Sequence, residues 1–300
     1  MQNIIISKLR ILILLLLIVN SNRILFAQGG DSIRGKGLYI GLSLEPANTL
    51  ITNNGISSVA GIISGKAITF GGTVEFGYNF SKYFGLSTGI GYSSYGSKVK
   101  LASYQNFVGI EDETKEAYES VDSENEEYEL IVSGKNIEEN QTINYCRVPV
   151  YLNLRLPISK TIGLFVQSGV DLSFALTKSY KSSGTFTYKG YYSAYNVLLE
   201  DLPKYGFPSN RATTMGDHLE VRPFTVFAAV TAGLDFFLSD KIQLALAASY
   251  RKSLSDLSAY TADSQYQLSP GVDKINSFMG GSNSASLAST GISVKVRYFF

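Results

Sequence analysis

The chain has 300 residues, 45% of them hydrophobic, which excludes a disordered polymer; only 17% are charged, below the ~25% of ordinary soluble domains. Twenty Tyr, 17 Phe and 28 Gly stand in for the missing charge, a profile that suits β-sheet with one face against something other than water. A formal net charge of +1 gives no reason to invoke nucleic acid as a partner.

Residues 1–27 predict a secretory signal peptide. Lys8 and Arg10 precede an apolar run from Ile11 to Val19, and Ala27 supplies the small residue at the cut. The run is too short to span a bilayer. Its removal takes away three bases (Lys8, Arg10 and Arg23) and no acid, moving the net charge from +1 to −2. No cysteine lies near the cut, which argues against a lipid anchor. Cys146 is the sole cysteine, so no internal disulfide can form. The remaining domain, residues 28–300, has no apolar stretch of helical spanning length.

Eight runs of strict alternation follow in chain order. They are GLYIGLSLE (Gly37 to Glu45), ITFGGTVEFGYNF (Ile68 to Phe80), FGLSTGIGYSSY (Phe84 to Tyr95) and INYCRVPVYLNLRL (Ile143 to Leu156), then IGLFVQSGVDLSFAL (Ile162 to Leu176), FTVFAAVTAGLDFFL (Phe224 to Leu238), IQLALAASYR (Ile242 to Arg251) and the final GISVKVRYFF. Each reaches the roughly nine residues that a tilted transmembrane strand needs. The connectors alternate in length. Short ones lie near Ser81 to Tyr83, Ile158 to Thr161 and Ser239 to Lys241. Long loops are expected over Pro46 to Lys66, Ser97 to Gln141, Lys178 to Glu220 and Leu254 to Ala285. Sorting by parity over an even strand count predicts an all-β, eight-stranded antiparallel up-and-down transmembrane β-barrel with four long extracellular loops.

The composition of the two faces decides which one meets lipid. Ile242, Leu244, Leu246, Ala248 and Tyr250 share one face of the seventh run, and Gln243, Ala245, Ala247, Ser249 and Arg251 share the other. The second face is mostly Gly, Ala and Ser with single charges, which suits the narrow interior of an eight-stranded barrel. The interior then holds Glu45, Glu75, Asp171 and Asp235 against Arg147, Arg155, Arg251, Lys295 and Arg297, predicting a salt-bridged plug with no open pore. Aromatics mark the two interfaces: Tyr78, Phe80, Phe84, Phe236 and Phe300 on the periplasmic side, and Phe70, Tyr92, Phe174, Phe224 and Tyr250 on the outer side.

This pattern, with YLNLRLPIS in the fourth run, GLDFFLSDKIQLALAASYRKSL across the third hairpin and the terminal Phe300, resembles the PorT-like outer-membrane β-barrel family of Bacteroidetes, architecturally similar to OmpX and the barrel of OmpA. The resemblance implies a gram-negative outer membrane with loops outside and turns and N-terminus in the periplasm. It also implies recognition of Phe300 by the barrel-assembly machinery, and in some relatives a role in type IX secretion.

Other clusters receive plainer readings. Glu111 to Glu129 holds ten acids and one Lys without the spacing of a calcium loop, and reads as a solvated loop, with loose divalent-cation bridging to lipopolysaccharide as the competing reading. His218, beside Asp217 and Glu220, is the only histidine and reads as a surface residue; a rim enzyme is the competing reading. The tyrosines of Phe186 to Tyr195, with Tyr205 and Phe207, are expected to extend the fifth and sixth strands and pack on each other; a binding surface is the competing reading. Pro149 should mark a bulge or local irregularity. Gly89 and Gly91 do not have the spacing of a phosphate loop and are expected to let a crowded lumen wall bend. The expected role is structural or loop-mediated binding, with a secretion accessory as the alternative. Expected partners are outer-membrane lipid and lipopolysaccharide, the assembly machinery, and an extracellular or secretion-system protein. No catalytic, cofactor-binding or metal-binding residue is assigned, and no cofactor.

Overall fold

A computed structural model describes residues 35–54, 62–106, 119–121, 126–259 and 266–300. The signal peptide and most of the acidic segment lie outside the described residues. Eleven strands form one sheet: β1 (Gly37–Asn54), β2 (Ile63–Asn79), β3 (Phe84–Asn106), β4 (Glu119–Val121), β5 (Glu127–Pro157), β6 (Ile162–Tyr192), β7 (Val197–Glu200), β8 (Arg211–His218), β9 (Phe224–Phe237), β10 (Ile242–Ser253) and β11 (Ser284–Phe299). Eight of them are the eight predicted runs. They pair antiparallel in the order β1, β2, β3, β5, β6, β9, β10, β11, and β11 returns to β1 with Tyr39 opposite Phe299. The sheet is therefore closed.

The three short connectors share one device. Ser81 Oγ accepts from the N–H groups of Tyr83 and Phe84 (both 3.1 Å), Ser159 Oγ from Thr161 and Ile162 (3.2 and 3.0 Å), and Ser239 Oγ from Lys241 and Ile242 (3.3 and 3.1 Å). A serine that folds back on its own backbone reverses the chain tightly without a longer loop.

Alternation sorts as the composition predicts over the half of the cylinder that ends in these turns. Leu42, Leu44, Phe76, Ile90, Leu154, Leu164, Leu246 and Ile292 all point outward and are exposed. The predicted aromatics flank this band, with Tyr78 on Phe80 at 5.2 Å at the turn end, where Phe300 meets Tyr298, a residue not predicted, at 5.5 Å, and Phe174 on Phe224 at 5.1 Å at the opposite boundary. A Cβ at Gly89 would sit 2.1 Å from the Val74 carbonyl oxygen, so the lumen wall there tolerates only glycine. Pro149 interrupts the pairing of β5 with β3 between Thr88 and Gly91 without shifting register, while β5 shifts register against β6 between Lys135 and Glu138 and between Asn144 and Tyr145.

The expected long loops need correction. Much of Pro46 to Lys66, Ser97 to Gln141 and Lys178 to Glu220 is strand, because β1, β2, β3, β5 and β6 run past the apolar band and β8 pairs with β6. The physical reason is an inversion of the alternation. Beyond the band the outward positions are polar (Lys98, Asn140, Lys181) and the inward ones apolar (Val99, Ile137, Tyr180), as in a water-soluble sheet. The inverted part forms a head with its own core of Val99, Leu101, Val132, Ile137, Phe186, Tyr188, Phe207, Leu268, Ile275 and Phe278. A second apolar cluster closes the barrel mouth beneath it. There Leu219, Val221, Leu257 and Met279, from the connectors, fold in on Tyr95, Ile143, Tyr145 and Phe227.

Leu246 is 53% exposed on the band, whereas Ala247 is 5% exposed and packs inside on Phe165 and Ala245. Leu246→Arg should cost about 2–4 kcal/mol near mid-bilayer, measured by denaturant unfolding of the chain refolded into lipid vesicles. Ala247→Arg should instead fail to reach the folded, heat-modifiable form, because it overfills the lumen.

Candidate functional site

All nine predicted lumen charges come together inside the cylinder, as three linked groups. Nearest the mouth, Arg251 from β10 bridges Glu45 of β1 (2.6 Å) and Asp171 of β6 (2.8 Å). Arg147 of β5 contacts the same two acids at 3.2 and 2.9 Å and donates to Thr73 Oγ1 at 3.0 Å. Tyr151 donates to the other Asp171 oxygen. Below them, Glu75 of β2 faces Lys295 (3.8 Å) and Arg297 (3.4 Å) of β11 and accepts from Tyr39 at 2.5 Å and Gln167 at 3.0 Å. At the turn end Arg155 grips Asp235 through Nε and Nη2, at 2.7–2.9 Å.

Local sequence positions each group. Strand alternation puts Glu45, Glu75, Arg147, Arg155, Asp171, Asp235, Arg251, Lys295 and Arg297 on one face of their strands. Gly77 leaves room for Tyr39 to reach across to Glu75; a Cβ there would lie 2.2 Å from the Tyr39 ring. The guanidinium of Arg297 stacks over Tyr39 (5.1 Å) and Phe165 (5.5 Å), and that of Arg155 over Phe237 (4.8 Å). Such contacts hold a flat cation in place where water is scarce.

Small cavities lie beside these groups. One of about 20 Å³ lies among Asn153, Arg155, Phe165, Gln167, Asp235 and Arg297, and one of about 10 Å³ lies beside Glu45, Tyr95 and Arg251. Each has room for about one water, and the apolar mouth cluster caps the charges on one side.

The remaining candidates are scattered. His218 ends β8, exposed, with its backbone N–H donating to Asp217 Oδ1 at 2.7 Å. Among the described residues nothing hydrogen-bonds its imidazole, and no group of three or more His, Cys, Asp or Glu could hold a metal ion. Cys146 is half-buried, level with Tyr92 and Phe174. Phe186, Tyr188 and Tyr192 pack within the head as predicted, but Tyr195 and Tyr205 are 61% and 74% exposed at its tip.

Sequence reading missed Glu139. It sits in the head, 1% exposed, and accepts hydrogen bonds from Gln141 (2.8 Å), Ser182 (2.8 Å), Ser277 (2.7 Å) and the Phe278 N–H (3.1 Å). It thereby ties β5 and β6 to residues 277–278 of the last connector. A single acid amid polar loop residues gave no periodic signal. Burial pushes its carboxyl above the ordinary 4.5, against the pull of its four donors.

Arg147 is fully buried, and its removal leaves Asp171 and Glu45 underpaired. Arg147→Met should cost about 3–5 kcal/mol in denaturant midpoints, whereas Lys100→Met, which breaks an exposed pair with Glu138, should shift them little. For Glu139, the folded head holds the proton more tightly than the unfolded chain. Its contribution to stability is therefore greatest below pH 4.5 and declines as pH rises through the interval up to the raised folded value. Limited proteolysis of the head across that interval should show this slope in the wild-type chain and lose it in Glu139→Gln.

A family model described as outer membrane protein beta-barrel domain matches residues 26–259. Solved structures similar to the chain include Neisserial surface protein A, at 10% identity over 88% of this chain and 98% of that one, with a TM-score of 0.34. OprG from Pseudomonas aeruginosa stands at 13%, 90%, 100% and 0.37, and Ail, the attachment invasion locus protein of Yersinia pestis, at 10%, 88%, 99% and 0.25. No curated protein matches the sequence. The structural likenesses are loose and say nothing of activity. The family match spans most of the cylinder described above, and the chain belongs to the outer membrane protein β-barrel domain family.

Proposed function

We propose that this outer-membrane barrel is non-catalytic and non-conducting, and that it works by holding its head outside the cell for a protein partner to bind. Tight turns in the periplasm and long connectors outside are the usual arrangement of such barrels. Residues 1–27 would then be the leader for export, and in pattern the chain resembles the PorT-like barrels of Bacteroidetes.

The observation that carries this reading is the build of the head. Its apolar core is already packed, so it presents a fixed surface without first paying an ordering cost. At its tip Tyr195, Val197, Leu198 and Tyr205 are nevertheless exposed. Exposed aromatic and aliphatic side chains on a rigid support suit protein recognition, because tyrosine offers a large contact at low entropic cost. The paired charges that occupy the lumen support the non-conducting half of the proposal.

The refolded chain should give no large, steady conductance in planar bilayers. In living cells, a photo-crosslinking side chain at position 198 should yield one discrete adduct, weakened about tenfold by Tyr195→Ser with Tyr205→Ser. A head that protease reaches on intact cells but that forms no adduct would overturn the binding role. Loss of protein export on deletion of the gene would favour a secretion accessory instead.

A further inference from the structure

The charges inside the cylinder do not balance. Near the mouth Glu45 and Asp171 meet Arg147 and Arg251, two acids against two bases, and at the turn end Asp235 pairs with Arg155. Between these groups Glu75 faces two cations, Lys295 at 3.8 Å and Arg297 at 3.4 Å. One carboxylate neutralises one of them, so the middle group holds an excess positive charge. Taken out of water, such a charge is costly unless a counter-charge accompanies it.

The hydrogen-bond donors left over beside that group line one cavity. Arg297 is 6% exposed, and its Nε is buried without a hydrogen-bond partner among the described residues. Its Nη1 donates to Gln243 Oε1 at 3.2 Å and its Nη2 to Glu75 Oε1 at 3.4 Å. The rings of Tyr39 and Phe165 lie against the guanidinium plane, so a further ligand meets it along its edge. Gln243, the cross-strand partner of Arg297, spends its amide oxygen on that residue and keeps Nε2 as a donor. Arg155 holds Asp235 through Nε and Nη2, which leaves Nη1 outside the pair. Arg297, Gln243 and Arg155 all border the cavity of about 20 Å³, and so does the exposed Lys82 of the first turn, which marks its path to solvent at the turn end. Asp235 borders it too, with its charge already matched by Arg155.

We infer that this cavity binds a chloride ion as the counter-charge to Lys295 and Arg297. The room is that of about one water, which suits a monatomic anion and is too small for a phosphate or an organic acid. Guanidinium and amide N–H groups are the donors such an ion needs. They come from β5, β10 and β11, so the ion would join the last two strands to β5 across the bore. The site goes beyond the binding role of the head and does not depend on it.

The test uses the full refolded chain in zwitterionic micelles, with chloride itself as the probe. The chloride NMR line should broaden in proportion to added protein, and bromide should narrow it again by displacement. At constant ionic strength, exchanging gluconate for chloride up to about a hundredfold its Kd should raise the urea midpoint, because only the folded chain holds the ion. Gln243→Glu puts a carboxylate on the cavity wall as a built-in counter-charge and should weaken chloride binding about tenfold or more. Lys100→Met, on the head, should leave binding unchanged. A wild-type line width or midpoint that ignores chloride overturns the inference without any variant, and Lys295 would then be the group that gives up its charge. A response that survives in Gln243→Glu, or is lost equally in Lys100→Met, overturns it as well.

Discussion

Hydrocarbon offers no hydrogen bonds, so every backbone N–H and C=O that crosses it must find its partner within the protein. For a chain that crosses with strands, this forces the sheet to close, and here β11 meets β1. Closure over eight strands then fixes a narrow bore, and the bore dictates what can line it. Small residues fill most of the wall. The nine ionisable groups inside are tolerated because each lies within reach of an opposite charge. Removing water from a lone charge costs several kcal/mol, more than one hydrogen bond returns.

The same constraint explains why part of the molecule was legible in sequence and part was not. Within the band, lipid outside and crowding inside leave one workable pattern. Leu246 beside Ala247, or Val296 beside Arg297, therefore announces both the strand and its orientation. The nine lumen charges followed directly, since each sits on the small-residue face. Above the band the outside is wet, and the rule reverses. Val99 and Ile137 face in while Lys98 and Glu138 face out. The bulge at Asn144 and Tyr145 adds a local break in register with β6. A search for apolar-out alternation stops there and reads strands as loops. Glu139 was less legible still, because its meaning depends on Ser277 and Phe278, far along the chain.

Three environments are thus stacked along one cylinder: paired charges in the bore, an apolar cap at the mouth, and a soluble-type core in the head. Each is stabilised by different physics. The charge groups depend on mutual neutralisation, the cap and core on removal of apolar surface from water. The head is rigid because β5 and β6 are single strands of 31 residues each, continuous from the turn end to the head. Its wall is the wall of the barrel prolonged, so the head cannot swing as a tethered domain would.

The pairing of Tyr39 with Phe299 also sets a condition on biosynthesis. The first strand has no mate on one side until the last has left the ribosome, so the ring cannot form in stages as translation proceeds. Contacts so distant in sequence are slow to find, and an open edge meanwhile invites association with other chains. Production of this protein is therefore coupled to whatever keeps the completed polypeptide unfolded in transit.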